Sequence, residues 1–246
     1  MRRVHRPALP DTAQSYLDRR RPATTAANVE GAWKTARQTQ SMRTVLGVLQ
    51  KMAGARERCM YCVDSHGSDI EHFRPKSAYP MHAFVWSNML LCCAECGRFK
   101  GDRFPLSPTG QPSLVDPSAE DPWDHLDFDP DTGNLTARYN IASGTPSAKG
   151  ECTVQVLQLD RREAMAEGYR RTFLRLAACV RHALSADAID AESLTATLLQ
   201  ADDHGLMAWC FGPVSARLQP FMDLRRKAPD VWKACKTAAA QWRAQD

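Results

Sequence analysis

The sequence predicts an α+β protein in which helices flank a short, cysteine-rich core. Apolar residues recur at helical spacing over 27–56 and again in the last third of the chain. Between these regions, four cysteines in two C-x-x-C pairs punctuate short segments that contain brief alternating stretches. We therefore expect three segments: an N-terminal helical segment at 1–56, a core at 57–150, and a C-terminal helical region at 151–246.

The N-terminal segment is expected to hold two helices. Residues 11–22 predict a short helix that ends before Pro22, because the residue preceding a proline disfavours helical backbone. Residues 27–56 contain no proline and predict one long amphipathic helix with Gly54 at its fraying end. Its apolar positions are Trp33, Met42, Val45, Leu46, Val48, Leu49 and Met52.

The core segment is expected to contain short strands and turns. Alternation predicts a strand around 70–73, and we expect a second strand over 88–91 and a short helix over 94–101. Residues 104–150 are rich in Pro, Asp, Gly and Ser, which excludes long helices. An Asp-Thr-Gly-Asn turn within them predicts a hairpin over 125–140.

The last third of the chain predicts three helices, over about 160–184, 190–201 and 229–244. Pro229 suits the first turn of the last one. No run of eighteen apolar residues occurs, so we do not expect a membrane span. The basic N-terminus has no apolar stretch behind it and is not typical of a secretory signal, so a cytoplasmic location is expected.

Charge is distributed unevenly along the chain. The net charge is +4, but residues 1–103 hold 17 Lys and Arg against 9 Asp and Glu, whereas residues 104–246 hold 15 against 19. The basic half contains both cysteine pairs. This polarity favours a front half that meets a polyanion, although many basic faces are merely solvated.

The two C-x-x-C pairs, Cys59 with Cys62 and Cys93 with Cys96, predict a structural zinc site. Four thiolates form a closed tetrahedral shell without an open position for water, so the ion would hold the fold together and would not catalyse. Residues 57–103 have little apolar material, and metal binding can supply the missing folding energy. Alternatives are a redox C-x-x-C pair or separately buried cysteines. Cys92 is the one remaining cysteine that could confuse the ligand assignment.

Between the cysteine pairs lies Glu71-His72, which could carry catalysis. In a strand, neighbouring side chains point to opposite faces unless a bulge or twist intervenes. An acid could bind a divalent cation while the imidazole activates water as a general base. Alone, the dipeptide would favour a solvated pair or a packed core histidine. Its position inside the cysteine frame, near Arg74, Lys76 and Lys100, favours the catalytic interpretation.

These motifs resemble the HNH endonucleases, which have a ββα-metal fold, and in particular the branch found with Septu and some retron antiphage systems. The resemblance covers about residues 55–165. The matching text is Cys59-Met60-Tyr61-Cys62, Ile70-Glu71-His72-Phe73-Arg74-Pro75-Lys76, Trp86-Ser87-Asn88-Met89-Leu90, Cys93-Ala94-Glu95-Cys96, Lys100-Gly101-Asp102-Arg103-Phe104-Pro105, Leu114-Val115-Asp116-Pro117, Asp121-Pro122 and Leu159-Asp160-Arg161.

The resemblance implies roles for several residues. His72 would be the general base, Glu71 a ligand of a catalytic Mg²⁺ or Mn²⁺, and Asn88 would hold the His72 loop or orient its imidazole. Three cations would contact phosphates: Arg74, Lys76 and Lys100. The resemblance also implies nucleic acid as a partner, with DNA favoured over RNA, and an ABC- or SMC-like ATPase docked on the C-terminal helices.

One position departs from the family pattern. The residue after the second knuckle cysteine usually completes the cation site with Asn or His, but here it is Gly97. Either a nearby carboxylate, from Asp102, Glu95 or Asp69, substitutes for it, or water fills the gap, or the site has lost its metal. We therefore expect a metal-dependent endonuclease acting in antiphage defence. The alternatives are a catalytically weakened nucleic-acid-binding or assembly module with a structural zinc, and a purely structural zinc protein.

Overall fold

Residues 1–242 form helices and three small antiparallel sheets, which confirms the α+β class. The computed structural model describes residues 1–242. In the first half the elements are α1 (Asp11–Arg20), α2 (Val29–Ala36), α3 (Gln40–Ala53), β1 (Asp69–His72), β2 (Met89–Cys92) and α4 (Ala94–Lys100). In the second half they are β3 (Leu126–Phe128), β4 (Leu135–Ala137), β5 (Tyr139–Asn140), β6 (Thr145–Pro146), α5 (Ala148–Leu157), α6 (Glu163–Leu184), α7 (Ala191–Ala201), α8 (Met207–Cys210), α9 (Phe221–Lys227) and α10 (Pro229–Ala240).

The expectation of one long helix over 27–56 is wrong, because the segment forms two helices, α2 and α3. The break lies at Thr39, whose backbone is extended with φ −82° and ψ 155°. Its hydroxyl accepts a hydrogen bond from the backbone N–H of Met42 at 3.4 Å, which caps the start of α3. Gly54 does end α3, with a φ of +88°. The short first helix is confirmed as α1.

The segment between the cysteine pairs forms two strands followed by a helix. β1 and β2 pair antiparallel, with Glu71 opposite Leu90 and His72 opposite Met89. All four residues of β2 are buried, because α3 packs on this strand. Cys93 is the residue before α4, and it lies in an extended conformation that turns the chain from the strand into the helix. The two predicted strands and the short helix are therefore confirmed.

The predicted hairpin over 125–140 is confirmed by the antiparallel pairing of β3 with β4. Sequence reasoning missed the smaller pair of β5 with β6 that follows it. It also missed α5, which packs on β4 and on α4 and so connects the hairpin to the cysteine core.

The predicted C-terminal helices correspond to α6, α7 and α10, whereas α8 and α9 were not predicted. The expected last helix extended to 244, and its final two residues lie outside the described part of the chain. Buried apolar residues from all three predicted segments form one cluster, including Leu49, Leu91 and Leu176. The division into three segments remains a prediction. Among residues 1–242, no helix has the length and apolar character needed to cross a membrane.

Candidate zinc centre and active-site cleft

The four predicted cysteines lie together in the interior of the molecule. Their Sγ atoms are all within 4.8 Å of one another, and all four side chains are buried. The distance from Cys62 Sγ to Cys93 Sγ is 3.9 Å. Tetrahedral zinc with Zn–S bonds of about 2.3 Å would separate its sulfurs by roughly 3.8 Å. The cysteine cluster therefore fits a structural zinc ion, which would be held by Cys59, Cys62, Cys93 and Cys96.

Local backbone geometry brings each pair of thiols together. In the first pair, the N–H of Val63 donates to the carbonyl of Cys59 at 2.8 Å, and Val63 has a φ of +50°. In the second pair, the N–H of Cys96 donates to Cys93 Sγ at 3.4 Å, as in an N-cap. Cys92 lies outside the cluster, and its thiol donates to the carbonyl of Cys93 at 3.3 Å.

A residue from the C-terminal region reaches the cysteine cluster. The guanidinium of Arg162 is buried, donates to Cys96 Sγ at 3.2 Å and forms an ion pair with Glu95. A cation beside a zinc thiolate offsets part of the negative charge that four such ligands bring. Sequence reasoning missed this role, because nothing in the spacing along the chain connects Arg162 to the cysteines.

His72 is buried at the end of β1, with 5% of its surface exposed. Its Nε2 lies 2.9 Å from the carbonyl oxygen of Ala83, and its ring packs edge-on against Trp33 with centroids 4.3 Å apart. A carbonyl oxygen can only accept, so Nε2 carries the proton and Nδ1 keeps its lone pair. Burial lowers the pKa of His72 to about 4, although the bond to Ala83 opposes this shift. The ring is therefore neutral at neutral pH.

Glu71 is engaged by Lys100, whose side chain has no exposed surface. Lys100 Nζ donates to Glu71 Oε1 at 2.8 Å and to the backbone carbonyl of His72 at 2.7 Å. Burial raises the pKa of Glu71, and the charge and hydrogen bond of Lys100 act in the opposite direction. The predicted phosphate contact of Lys100 would require this ammonium to leave its buried partners.

Asn88 is buried and holds the loop that carries the partner of His72. Its Oδ1 accepts from the N–H of Arg74 at 2.7 Å, and its Nδ2 donates to the carbonyls of Arg74 and His82, both at 3.0 Å. This loop includes Ala83, which accepts from the imidazole. Of the two alternatives left open for Asn88, the contacts match holding the loop.

Glu71 and His72 line one cleft of about 650 Å³, and helix α2 forms its other wall. The α2 residues Trp33 and Lys34 face this cleft, and Arg37 follows them immediately after the helix. Their place in the site could not be read from the sequence, where Trp33 fits only the apolar side of a helix. A larger cavity of about 870 Å³ lies far along the chain beside β5, away from these residues.

The two remaining predicted phosphate contacts occupy different positions. Lys76 lines the cleft and forms an ion pair with Glu30 at 2.9 Å. Arg74 is partly buried, and its guanidinium lies over the rings of Phe104 at 5.2 Å and Tyr79 at 5.6 Å. Phosphate binding by either residue remains a prediction.

The residues around Glu71 fit a catalytic divalent cation poorly. Asp102 lines the same cleft but is exposed, and Glu95 is paired with Arg162. Asp69 forms an ion pair with Arg37, whose Nη2 contacts both carboxylate oxygens at 3.0 Å. Within residues 1–242, the four cysteines form the only group of three or more His, Cys, Asp or Glu ligands close enough to share an ion. Mg²⁺ is usually held by one or two carboxylates together with waters and substrate phosphates, and the carboxylate beside His72, Glu71, is already paired with Lys100.

Part of the chain is similar to the Septu protein PtuB of Bacillus thuringiensis. The two sequences are 26% identical over 112 residues, which make up 44% of this chain and 38% of that protein. The match thus spans less than half the length of the relative. No protein-family profile matches the chain, and no solved structure matches it.

Proposed function

We propose that the protein is an endonuclease that hydrolyses nucleic-acid phosphodiester bonds as the effector of an antiphage defence system. The observation that carries the proposal is the state of His72. Its Nε2 is fixed by the carbonyl of Ala83, so Nδ1 keeps its lone pair, and His72 lines a cleft that Lys76 also lines. The order of motifs and the similarity to the Septu protein PtuB support the same function.

In this proposal His72 acts as a general base. Nδ1 takes a proton from a water molecule while the water oxygen attacks phosphorus, the ester P–O bond breaks, and the leaving oxygen takes a proton from solvent. Lys76 and Arg74 offset phosphate charge. The family resemblance implies that Mg²⁺ or Mn²⁺ at Glu71 would neutralise phosphate charge. Because Glu71 fits such an ion poorly, the proposed mechanism assigns no step to a divalent cation.

The test compares the zinc-loaded protein with two histidine variants on plasmid, single-stranded DNA and RNA, with Mg²⁺ or Mn²⁺ and with an ABC- or SMC-like ATPase where one is available. We expect His72→Ala to lose cleavage by at least about 10²-fold, because general-base catalysis contributes about 10²–10⁴-fold. His182→Ala is the matched control, since His182 is exposed at the end of α6. Zinc content and circular dichroism check that both variants fold. Equal cleavage by His72→Ala and the native protein would refute the assignment.

A second candidate function is a catalytically weakened nucleic-acid-binding or assembly module. Gly97 favours it, because this position supplies no cation ligand. This candidate predicts that the protein binds nucleic acid but does not cleave it with any divalent ion or partner. Cleavage that is abolished by Glu71→Ala would contradict it.

The proposed partner is an ABC- or SMC-like ATPase that docks on the C-terminal helices. This part depends on the family resemblance and on the separation of those helices in sequence from the cleft residues. Co-purification of the two proteins, and loss of the complex when exposed residues of α6 and α7 are changed to opposite charge, would support it. Retention of the complex by such variants would exclude this surface.

A further inference from the structure

The ion pair between Lys100 and Glu71 has an unusual setting for two charges. The Lys100 side chain is completely buried, and its Nζ is surrounded by Glu71 Oε1 at 2.8 Å and the carbonyls of His72 and Gly101 at 2.7 and 3.4 Å. An ammonium group is rarely buried unless it is both paired and hydrogen-bonded, and both conditions are met here. Removing one partner of such a pair would leave a buried charge without compensation. The Lys100 ammonium is therefore held in place beside Glu71.

The other oxygen of Glu71 faces a position that has no side chain. A Cβ atom built on Gly97 would lie 3.7 Å from Glu71 Oε2 and 3.9 Å from Cys92 Sγ, which are ordinary van der Waals distances. A Cβ atom at position 97 would therefore not clash with this carboxylate, so the backbone there does not require glycine for lack of space at Cβ. The Oε2 side of Glu71 consequently lacks a ligand from position 97.

We propose that Lys100, rather than a tightly bound divalent cation, supplies the positive charge that neutralises Glu71. An unpaired carboxylate beside His72 would repel an approaching phosphate. The buried ammonium of Lys100 neutralises the negative charge of Glu71 and so reduces this repulsion. The functional part of this inference rests on the proposed nuclease function. The part that concerns ion binding depends only on the ligands present.

Direct titration of the zinc-loaded full-length protein with Mn²⁺ tests the inference, with free Mn²⁺ followed by electron paramagnetic resonance. We expect the native protein to bind Mn²⁺ at Glu71 only weakly, with a Kd of about 1 mM or higher, because one paired carboxylate is a poor site. Gly97→Asn adds an amide oxygen beside Glu71 Oε2, and it should tighten binding by about tenfold or more. In the Gly97→Asn protein, adding Glu71→Gln should abolish that gain.

Lys100→Met gives a second test, because it frees Glu71 for an ion and should also tighten Mn²⁺ binding. If this variant does not fold, Gly97→Asn still decides the question. Binding of one Mn²⁺ by the native protein in the micromolar range, lost in Glu71→Gln, would overturn the inference. If Gly97→Asn binds Mn²⁺ no more tightly than the native protein does, the absence of a ligand side chain at position 97 does not explain the weak binding, and that assignment is overturned.

Cleavage assays separate this inference from the proposed function. If the protein cleaves, omitting Mg²⁺ and Mn²⁺ should lower the rate less than about tenfold, since the inference leaves no tightly bound ion at Glu71 to be lost. A strict requirement for a divalent ion would overturn the functional part of the inference. Absence of cleavage under every condition would refute the nuclease function and that part with it, whereas the Mn²⁺ titration would still decide the ion-binding part.

Discussion

At the scale of single residues, the side chains around His72 form a small set of buried polar contacts with defined directions. Asn88 fixes the loop at Arg74 and His82, that loop presents the carbonyl of Ala83, and the carbonyl sets the tautomer of the imidazole. The basicity of Nδ1 thus depends on residues that never touch it. Because these contacts connect Asn88 to His72 through the loop, replacing Asn88 should disturb the cleft indirectly.

We predict that Asn88→Ala destabilises the zinc-loaded protein by about 2–4 kcal/mol, because each buried group left without a partner costs roughly 1–3 kcal/mol. Denaturant unfolding measures the change. Asn88→Asp keeps the acceptor for the N–H of Arg74 but loses both donors, so it should also destabilise. Ser87→Ala is the control, because Ser87 is exposed. An Asn88→Ala midpoint equal to that of the native protein would contradict the prediction.

Glu71, His72 and Asn88 could be chosen as candidate site residues from the sequence, because their motifs lie in a specific order between the cysteine pairs. The surroundings of these three residues could not be predicted from the sequence. The complete burial of Lys100 and the contact of Trp33 with His72 depend on how α2 and α4 pack against β1, and a linear pattern carries no information about such packing. Charged residues are usually exposed, so the expectation for Lys100 followed the general rule.

At the scale of elements, the sequence predicted the type of most helices and strands and missed the places where they break or approach closely. The helix break at Thr39 depends on one hydroxyl that caps the backbone of Met42. The close approach of α5 to the hairpin depends on Gly150. Both are local backbone events, and hydrophobic periodicity does not report on them.

We predict that replacing Gly150 with alanine destabilises the protein by about 1–3 kcal/mol or more, as overpacking does. A Cβ atom at Gly150 would lie 2.0 Å from the carbonyl oxygen of His125, so the backbone would have to move. Gly47→Ala in α3 is the matched control, because its Cβ would meet nothing within 4 Å. That change should stabilise by roughly 0.5–1 kcal/mol through helix propensity. Equal melting temperatures of the two variants would disprove the close approach.

At the scale of the whole molecule, the basic front half and the acidic back half are not independent. Arg162, from the C-terminal region, reaches the cysteine cluster, and α5 packs on α4. The candidate zinc centre is therefore contacted by a part of the chain that is remote in sequence. If an ATPase docks on the C-terminal helices, a displacement there has a direct physical route to the cysteines and to α4, which carries Lys100.

The contact between Arg162 and Cys96 leads to a prediction about zinc affinity. Arg162→Met removes the cation that donates to Cys96 Sγ, and we expect zinc affinity to fall by about 10–100-fold, as is typical when a partner of a metal ligand is lost. Competition with a chromophoric chelator measures it. Arg161→Met is the matched control, since the side chain of Arg161 is 75% exposed and should leave the affinity unchanged. If both variants hold zinc as tightly as the native protein, the C-terminal region contributes packing but no charge to the zinc centre.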